Sequence, residues 1–301
     1  MNNNRLQTLE EVLNGLMRRY KERVPDVGRI INAMITEGVI SHADEIENDH
    51  IAFRTMGVPQ LGIQSFEKIF LYYGYQKRDY FFFEGKKLNA YWFAPPEPRF
   101  PRIFVSELRV ADLSAPVQKI ITSYTDEVKI DPADSLDMNN AQAVDAFLHQ
   151  PLWRIPTWSD YQTLLAESEY AAWVIYNRYY LNHYTISVHT LRKGYNTLPE
   201  FNNFIEQTGI KLSDAGGKIK TSPDGGLRQS ATVAEMIEAE FADGVRHRIS
   251  GSYVEFAERK VLPQFSHLPD DQIRREHRRD GFETNNADRI FESTFTSQTA
   301  K

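Results

Sequence analysis

Asn48-Asp49-His50-Ile51-Ala52-Phe53-Arg54-Thr55 and Leu181-Asn182-His183-Tyr184-Thr185-Ile186-Ser187-Val188 each open a strand-like run on a histidine. β-Branched and aromatic residues follow each His and favour extended chain. The segments that come next are also alike. After the first run stands a helical pattern, GIQSFEKIFLYYG (62–74). DYFFFEG (79–85) and KLNAYWFAPP (87–96) then form a hairpin pattern across Gly85-Lys86-Lys87, and RIFVSELRV (102–110) is a further strand candidate. After the second run, HYTISVHTL (183–191), stands a helical pattern, LPEFNNFIEQTG (198–209). Two weak strands near 218–221 and 227–233 and a final strand, GSYVEFAERKVL (251–262), complete that half. The order strand, helix, strand, strand, strand occurs twice, which predicts an α+β fold of two βαβββ modules.

The rest of the chain is helical in pattern. Leu6, Leu9, Val12, Leu13, Leu16 and Tyr20 recur at helical spacing within residues 6–41, and a second helix is expected over 27–38. Residues 114–180 are mostly helical around a proline-rich link, PLWRIPTW (151–158). One catalytic domain over 1–301 is expected: a helical part (1–45), module one (46–114), a helical insert (115–180) that caps the cavity, module two (181–262) and a C-terminal segment (263–301) lining the pocket.

Composition removes several functions. The chain has 301 residues and no cysteine, so disulfides, zinc ribbons, iron–sulfur clusters and a thiol nucleophile are excluded. A net charge of −6 leaves no excess of Lys and Arg for a general nucleic-acid binder. The run Arg274-Arg275-Glu276-His277-Arg278-Arg279 reads as a solvated helix face. No apolar stretch is long enough to span a membrane, and the first residues lack the apolar core of an export signal, so a cytoplasmic location is the expectation.

With no thiols, a metal would have to be held by His and carboxylates. His50 and His183 open the first strand of each module, and the fourth strands carry Glu107 and Glu255. Two paired modules bring first and fourth strands together at a shared cavity. Two imidazoles and one carboxylate leave three positions of an octahedral ion open, as in non-haem Fe(II) oxygenases. All four side chains together would instead suit a hydrolase, lyase or isomerase that uses a metal as Lewis acid. A non-catalytic dicarboxylate-binding protein is the third reading. Spacing leaves these open. Side chains two apart share a face, so His50, Ala52 and Arg54 point one way, as do His183, Thr185 and Ser187, and Tyr253, Glu255 and Ala257. Arg54 lies about 13 Å along the strand from His50, where a guanidinium could grip the far carboxylate of a dicarboxylate. His189 lies too far along its strand to share the metal. His42, His149, His247, His267 and His277 read as exposed or capping.

At these residues the chain resembles the 2-oxoadipate dioxygenase/decarboxylase family, whose fold is similar to the vicinal-oxygen-chelate enzymes. The matching pieces are NDHIAFRT (48–55), LNHYT (181–185), LRQSA (227–231), GSYVEFAER (251–259) and NADRIFESTF (286–295), in that order. The resemblance implies Fe(II) held by His50, His183 and Glu255, with Glu107 supporting the site or the fold. It implies that Arg54 binds substrate and that Asn285 and Asn286, before the IFES piece, line the pocket. Gln229 is expected to support the metal ligands by a hydrogen bond. The implied partners are a 2-oxo dicarboxylate and O2. The implied reaction converts 2-oxoadipate to 2-hydroxyglutarate and CO2, a step of lysine degradation.

Overall fold

The computed structural model describes residues 3–301; residues 1 and 2, at the start of the expected N-terminal helical part, lie outside the described residues. Two helices come first, α1 (Asn3–Arg23) and α2 (Pro25–Thr36), and bury the stripes Leu9, Val12, Leu16, Tyr20 and Val27, Ile30, Met34. Module one follows: β1 (Asn48–Met56), α3 (Ile63–Tyr72), β2 (Gln76–Phe83), β3 (Leu88–Ala94) and β4 (Arg102–Leu108). The insert contributes α4 (Ala115–Thr125), α5 (Ala141–Phe147), α6 (Trp158–Glu167) and α7 (Glu169–Asn177). Module two has β5 (His183–Ser187), α8 (Leu198–Gln207), β6 (Lys220–Thr221), β7 (Leu227–Ala231), a hairpin of β8 (Met236–Glu240) and β9 (Arg246–Ser250), and β10 (Tyr253–Arg259). Helix α9 (Thr284–Phe291) lies near the C-terminus.

Eight strands form one curled sheet in the order β2-β3-β4-β1-β5-β10-β7-β6. Each module runs outward from the centre in the same sense, and the modules meet where β1 pairs antiparallel with β5. Within each module the first strand pairs in parallel with the last, β1 with β4 and β5 with β10. Parallel pairing needs a crossover, which α3 and α8 provide. These helices cover the outer face. Phe66 of α3 meets Phe53 of β1 at 4.7 Å between ring centroids, and Phe201 of α8 meets Phe256 of β10 at 5.0 Å. All four rings are fully buried, each contributing roughly 1.5–3 kcal/mol.

Register makes the internal repeat explicit. His50 stands opposite Arg102 and Ala52 opposite Phe104, while His183 stands opposite Tyr253 and Thr185 opposite Glu255. By that register Phe104 occupies the place of Glu255 in module one, and Glu107 the place of Glu258. The second equivalence is visible in the bonding. Glu107 Oε2 accepts from the Ile63 amide at the start of α3, and Glu258 Oε2 accepts from the Leu198 amide at the start of α8, each at 2.9 Å. A carboxylate at a helix N-terminus satisfies an orphan amide and opposes the helix dipole. Gly62 permits this in module one: its φ is +91°, and a Cβ there would stand 2.7 Å from Glu107 Oε2.

Four features differ from the sequence reading. The strand expected over 183–191 ends at Ser187, where Val188–Thr190 turns as a 3-10 helix. The β8–β9 hairpin was not anticipated; its strands mix charged and apolar residues, and Asp243-Gly244 supplies the turn. The basic run is not a helix face. Arg275–His277 form a single 3-10 turn, and Arg275 and Arg278 donate to main-chain carbonyls of Pro98, Phe100 and Arg259. The cavity beside the histidines is closed by Phe282 and α9, while the insert reaches the same inner face through α7, whose Tyr170 and Trp173 pack on Arg54.

Candidate metal centre

The inner faces of β1, β5 and β10 bring three ligand-type side chains together. His50, His183 and Glu255 each offer one atom, and those atoms lie within 4.8 Å of one another. His183 Nε2 is 3.0 Å from Glu255 Oε2, and His50 Nε2 is 3.5 Å from Glu255 Oε1. The two Nε2 atoms are 3.3 Å apart. All three residues are buried.

Each imidazole is oriented from behind. His50 Nδ1 is 2.8 Å from Asp49 Oδ1, and His183 Nδ1 is 3.1 Å from Asn182 Oδ1. A carboxylate or amide oxygen accepts only, so both Nδ1 atoms carry the proton and both Nε2 lone pairs face inward. Two lone pairs and a carboxylate aimed at one point repel unless a cation lies between them. The donor set therefore fits a divalent metal. Burial drives His183 down to about 3, keeping it neutral and ready to ligate at neutral pH. Burial would also lower His50, but the Glu255 and Asp49 carboxylates outweigh it and raise it. Glu255 is held low: burial would raise it, and the two imidazoles overcome that. Protons compete with a metal for these atoms, so metal affinity falls as the pH falls.

Support extends outward from Glu255. Gln229 Nε2 donates to Glu255 Oε1 at 2.6 Å, and Asn286 Nδ2 donates to Gln229 Oε1 at 3.0 Å. The Thr185 hydroxyl lies 3.1 Å from His50 Nε2. Asp49 is a hub, receiving Arg259 at 2.6 Å and 2.8 Å and Arg102 at 3.4 Å. Burial would raise its pKa, but the Arg259 and Arg102 guanidiniums hold it well below the usual carboxylate range.

Arg54 lies on the His50 face and is 1% exposed. Its Nη1 donates to Thr294 Oγ1 and its Nη2 to the Phe291 carbonyl, both at 2.9 Å. The rings of Tyr170, Trp173 and Phe291 stand 5.2 Å, 5.2 Å and 5.5 Å from its guanidinium carbon. No ion pair forms to it among the described residues. A buried guanidinium without a counterion costs several kcal/mol, which an arriving anion would offset.

The cavity beside the trio is lined by His50, His183, Tyr253, Phe104, Phe282 and Ile290, with Gln229 and Phe291 at its margin. Its free volume is about 20 Å³, on the scale of one water, so a larger ligand enters only by displacing the Phe282 or α9 side chains.

The two asparagines separate. Successive helix residues diverge by about 100°, so α9 buries Asn286, Ala287, Ile290 and Phe291 and turns Asn285 outward. The expectation that Asn285 lines the pocket is corrected accordingly. Glu107 is not among the grouped donors; its carboxylate caps α3. Among the described residues no fourth carboxylate joins the trio, and by register Phe104 fills the symmetric position. His189 also stays away from the trio, with Nδ1 accepting from the Arg259 amide at 3.2 Å. Glu107→Ala is expected to cost about 0.5–2 kcal/mol in urea unfolding, as caps do, and to leave metal content unchanged.

Sequence reasoning missed Asp49, Asn182 and Phe104, and it placed Tyr253 on the Glu255 face without giving it a role. The first two directly precede the histidines, and strict strand alternation points them to the opposite face. The β1–β5 pairing shifts register between Asn48 and Ile51. Such an irregularity re-aims side chains, and here Asp49 and His50 meet.

The chain is similar to known proteins along most of its length. A family model described as 2-oxoadipate dioxygenase/decarboxylase matches residues 12–271. An Arabidopsis thaliana protein named 2-oxoadipate dioxygenase/decarboxylase, chloroplastic, is 46% identical over 264 residues, covering 84% of this chain and 69% of that protein. The crystal structure of the hydroxyglutarate synthase in complex with 2-oxoadipate from Oryza sativa has a TM-score of 0.92 at 40% identity, covering 100% of this chain and 96% of that one. A glyoxalase-superfamily protein from Ralstonia eutropha JMP134 has a TM-score of 0.70 at 20% identity over 89% of this chain and 83% of its own, and shares the vicinal-oxygen-chelate-like fold. The expected cytoplasmic location is corrected by the chloroplastic relative. The absence of an apolar export core says nothing about chloroplast import, whose signals are amphipathic and Arg- and Ser-rich. By the extent of the family match and the level of identity, the chain belongs to the 2-oxoadipate dioxygenase/decarboxylase family.

Proposed function

We propose that this chain, acting as one catalytic domain over residues 1–301, is an Fe(II)-dependent dioxygenase that converts 2-oxoadipate and O2 to 2-hydroxyglutarate and CO2. The observation that carries this reading is the pairing, on one inner face, of a buried His50–His183–Glu255 trio with a buried Arg54 that has no counterion among the described residues. The atoms balance: a six-carbon acid takes up both oxygen atoms of O2 and loses one carbon as CO2. The substrate supplies all four electrons, so no second reductant is needed.

His50, His183 and Glu255 would hold the metal, which when bound supplies Lewis acidity and the redox chemistry that O2 requires. Phe104, standing where a fourth ligand would stand, keeps that side free for the 2-oxo acid and O2. Gln229 and Asn286 fix the Glu255 carboxylate. Asp49 and Asn182 fix the two imidazoles in the tautomer that presents Nε2. Arg54 binds the carboxylate remote from the keto group, so chain length is measured between the trio and the guanidinium. Phe104, Phe282, Ile290 and Phe291 keep water from the reacting carbon.

The test is an oxygen-electrode assay on protein purified without air and loaded with Fe(II). Oxygen consumed, CO2 released and 2-oxoadipate lost are expected in equal amounts. Turnover without oxygen, or equal turnover with Zn(II), would sink the reading. In the same assay Arg54→Met is expected to raise KM for 2-oxoadipate between about 30-fold and several thousandfold, the range for losing one partner of a buried charge pair.

A further inference from the structure

Tyr253 has no assigned role, and its hydroxyl is a buried polar group without a hydrogen-bond partner among the described residues. It occupies the first position of β10, opposite His183, and lines the cavity. Its ring lies 4.8 Å from the His183 ring and is tilted 35° to it. The side chain is fully buried. Its hydroxyl lies beside the Arg54 guanidinium. Arg54 Nε is buried and unpartnered as well.

The hydroxyl oxygen could accept from the guanidinium, but the two groups fall short of a formed hydrogen bond, and the hydroxyl proton has no acceptor among the described residues. Each buried donor left unmade costs about 1–3 kcal/mol. The guanidinium cannot swing away to relieve this, because Nη1 and Nη2 are tied to Thr294 and the Phe291 carbonyl. The Nε edge therefore stays turned to the Tyr253 side. An oxygen atom placed between them would accept from both. Carboxylate oxygens have this capacity, and carbonyl and apolar ends do not satisfy a guanidinium in the same way.

We propose that Tyr253 Oη and Arg54 Nε together bind the remote carboxylate of the substrate, making Tyr253 the residue that separates dicarboxylates from monocarboxylates. This rests on the reading of the site as one for a 2-oxo dicarboxylate. The hydroxyl adds a directed second donor to the charge of Arg54. The ring, packed on His183, sets the hydroxyl's distance from the metal ligands.

The experiment is calorimetric titration of anaerobic Fe(II)-loaded protein with 2-oxoadipate and with 2-oxohexanoate, which has the same chain length and no remote carboxylate. Tyr253→Phe is expected to weaken 2-oxoadipate about tenfold to a hundredfold and to change 2-oxohexanoate less than twofold. The ligand-free variant is expected to melt at the same temperature as wild type or higher, since the hydroxyl removed had no partner. Equal weakening of both acids, no weakening of either, or a lower melting temperature would overturn the proposal. If wild type itself fails to prefer 2-oxoadipate, the reading of the site fails first, and this proposal falls with it.

Discussion

Asp49→Ala is expected to lower the stability of the metal-free protein by about 3–5 kcal/mol in urea unfolding, the cost of removing one partner from a buried ion pair. Asp49 is fully buried and receives Arg259 through Nε and Nη2, Arg102 through Nη1, and His50 through Nδ1. Arg102 keeps Asp280 at 2.6 Å when Asp49 is gone. Arg259 keeps only the carbonyls of Arg279 and Gly281 and loses its countercharge. The pH dependence has a definite sign. The folded pKa of Asp49 lies below its unfolded value of about 3.9, so the contribution is fully present above that value. It is lost as the pH falls through the folded pKa. The gap between wild type and variant should therefore hold down to about pH 5 and narrow below about pH 4, and it should shrink as the pH rises above about 6.5, where the part Asp49 contributes by raising His50 is lost. Metal affinity should fall about 10–100-fold as well, because His50 loses the acceptor that fixes its tautomer. Asp49→Asn retains an acceptor without the charge, so it should recover part of the metal affinity and little of the stability. A loss under about 1 kcal/mol for the Ala variant would show that the ion pair does not hold this part of the sheet.

The parts of this fold legible in the sequence were those with a period. Leu9, Val12, Leu16 and Tyr20 announce α1 by spacing, and the two His-led strands announce the modules by order. Two-strand periodicity also put Arg54 on the His50 face. What stayed hidden depends on register, which no local pattern states. Glu107 and Glu255 both sit in the last strand of a module and look equivalent along the chain. Pairing shows instead that Glu107 matches Glu258 and that Glu255 matches Phe104. A shift of three residues turns a candidate ligand into a helix cap, because an odd shift changes the face of the sheet. Asp49 was hidden for a related reason, since a break in the β1–β5 pairing suspends the alternation on which the face assignment relied. Which member of Asn285-Asn286 is buried against Gln229 depended on the phase of α9, which begins one residue before them.

Glu255→Gln is expected to remove bound metal and to lower turnover by more than the roughly 10–100-fold typical of losing an outer support, because a ligand itself is lost. The substitution is isosteric and can still meet the Gln229 side chain, so packing should be unchanged. What changes is charge. In the metal-free protein Glu255 is 1% exposed, its carboxylate countered by neutral His183 and by His50, whose pKa it raises. The imidazoles nevertheless hold its pKa below the ordinary value, so the ionised form adds stability at neutral pH. Replacing it by an amide should therefore lower the metal-free melting temperature at neutral pH. The difference should widen once metal is present. A ligand that binds only the folded state adds about 2.7 kcal/mol at a hundred times its Kd. Wild type should gain that increment under anaerobic Fe(II), and Glu255→Gln should gain little. Melting curves of both proteins with and without metal thus test the trio independently of turnover. A variant that still shows the full metal-induced shift would mean that Glu255 is not a ligand, and that the charge buried between two imidazoles serves some other partner.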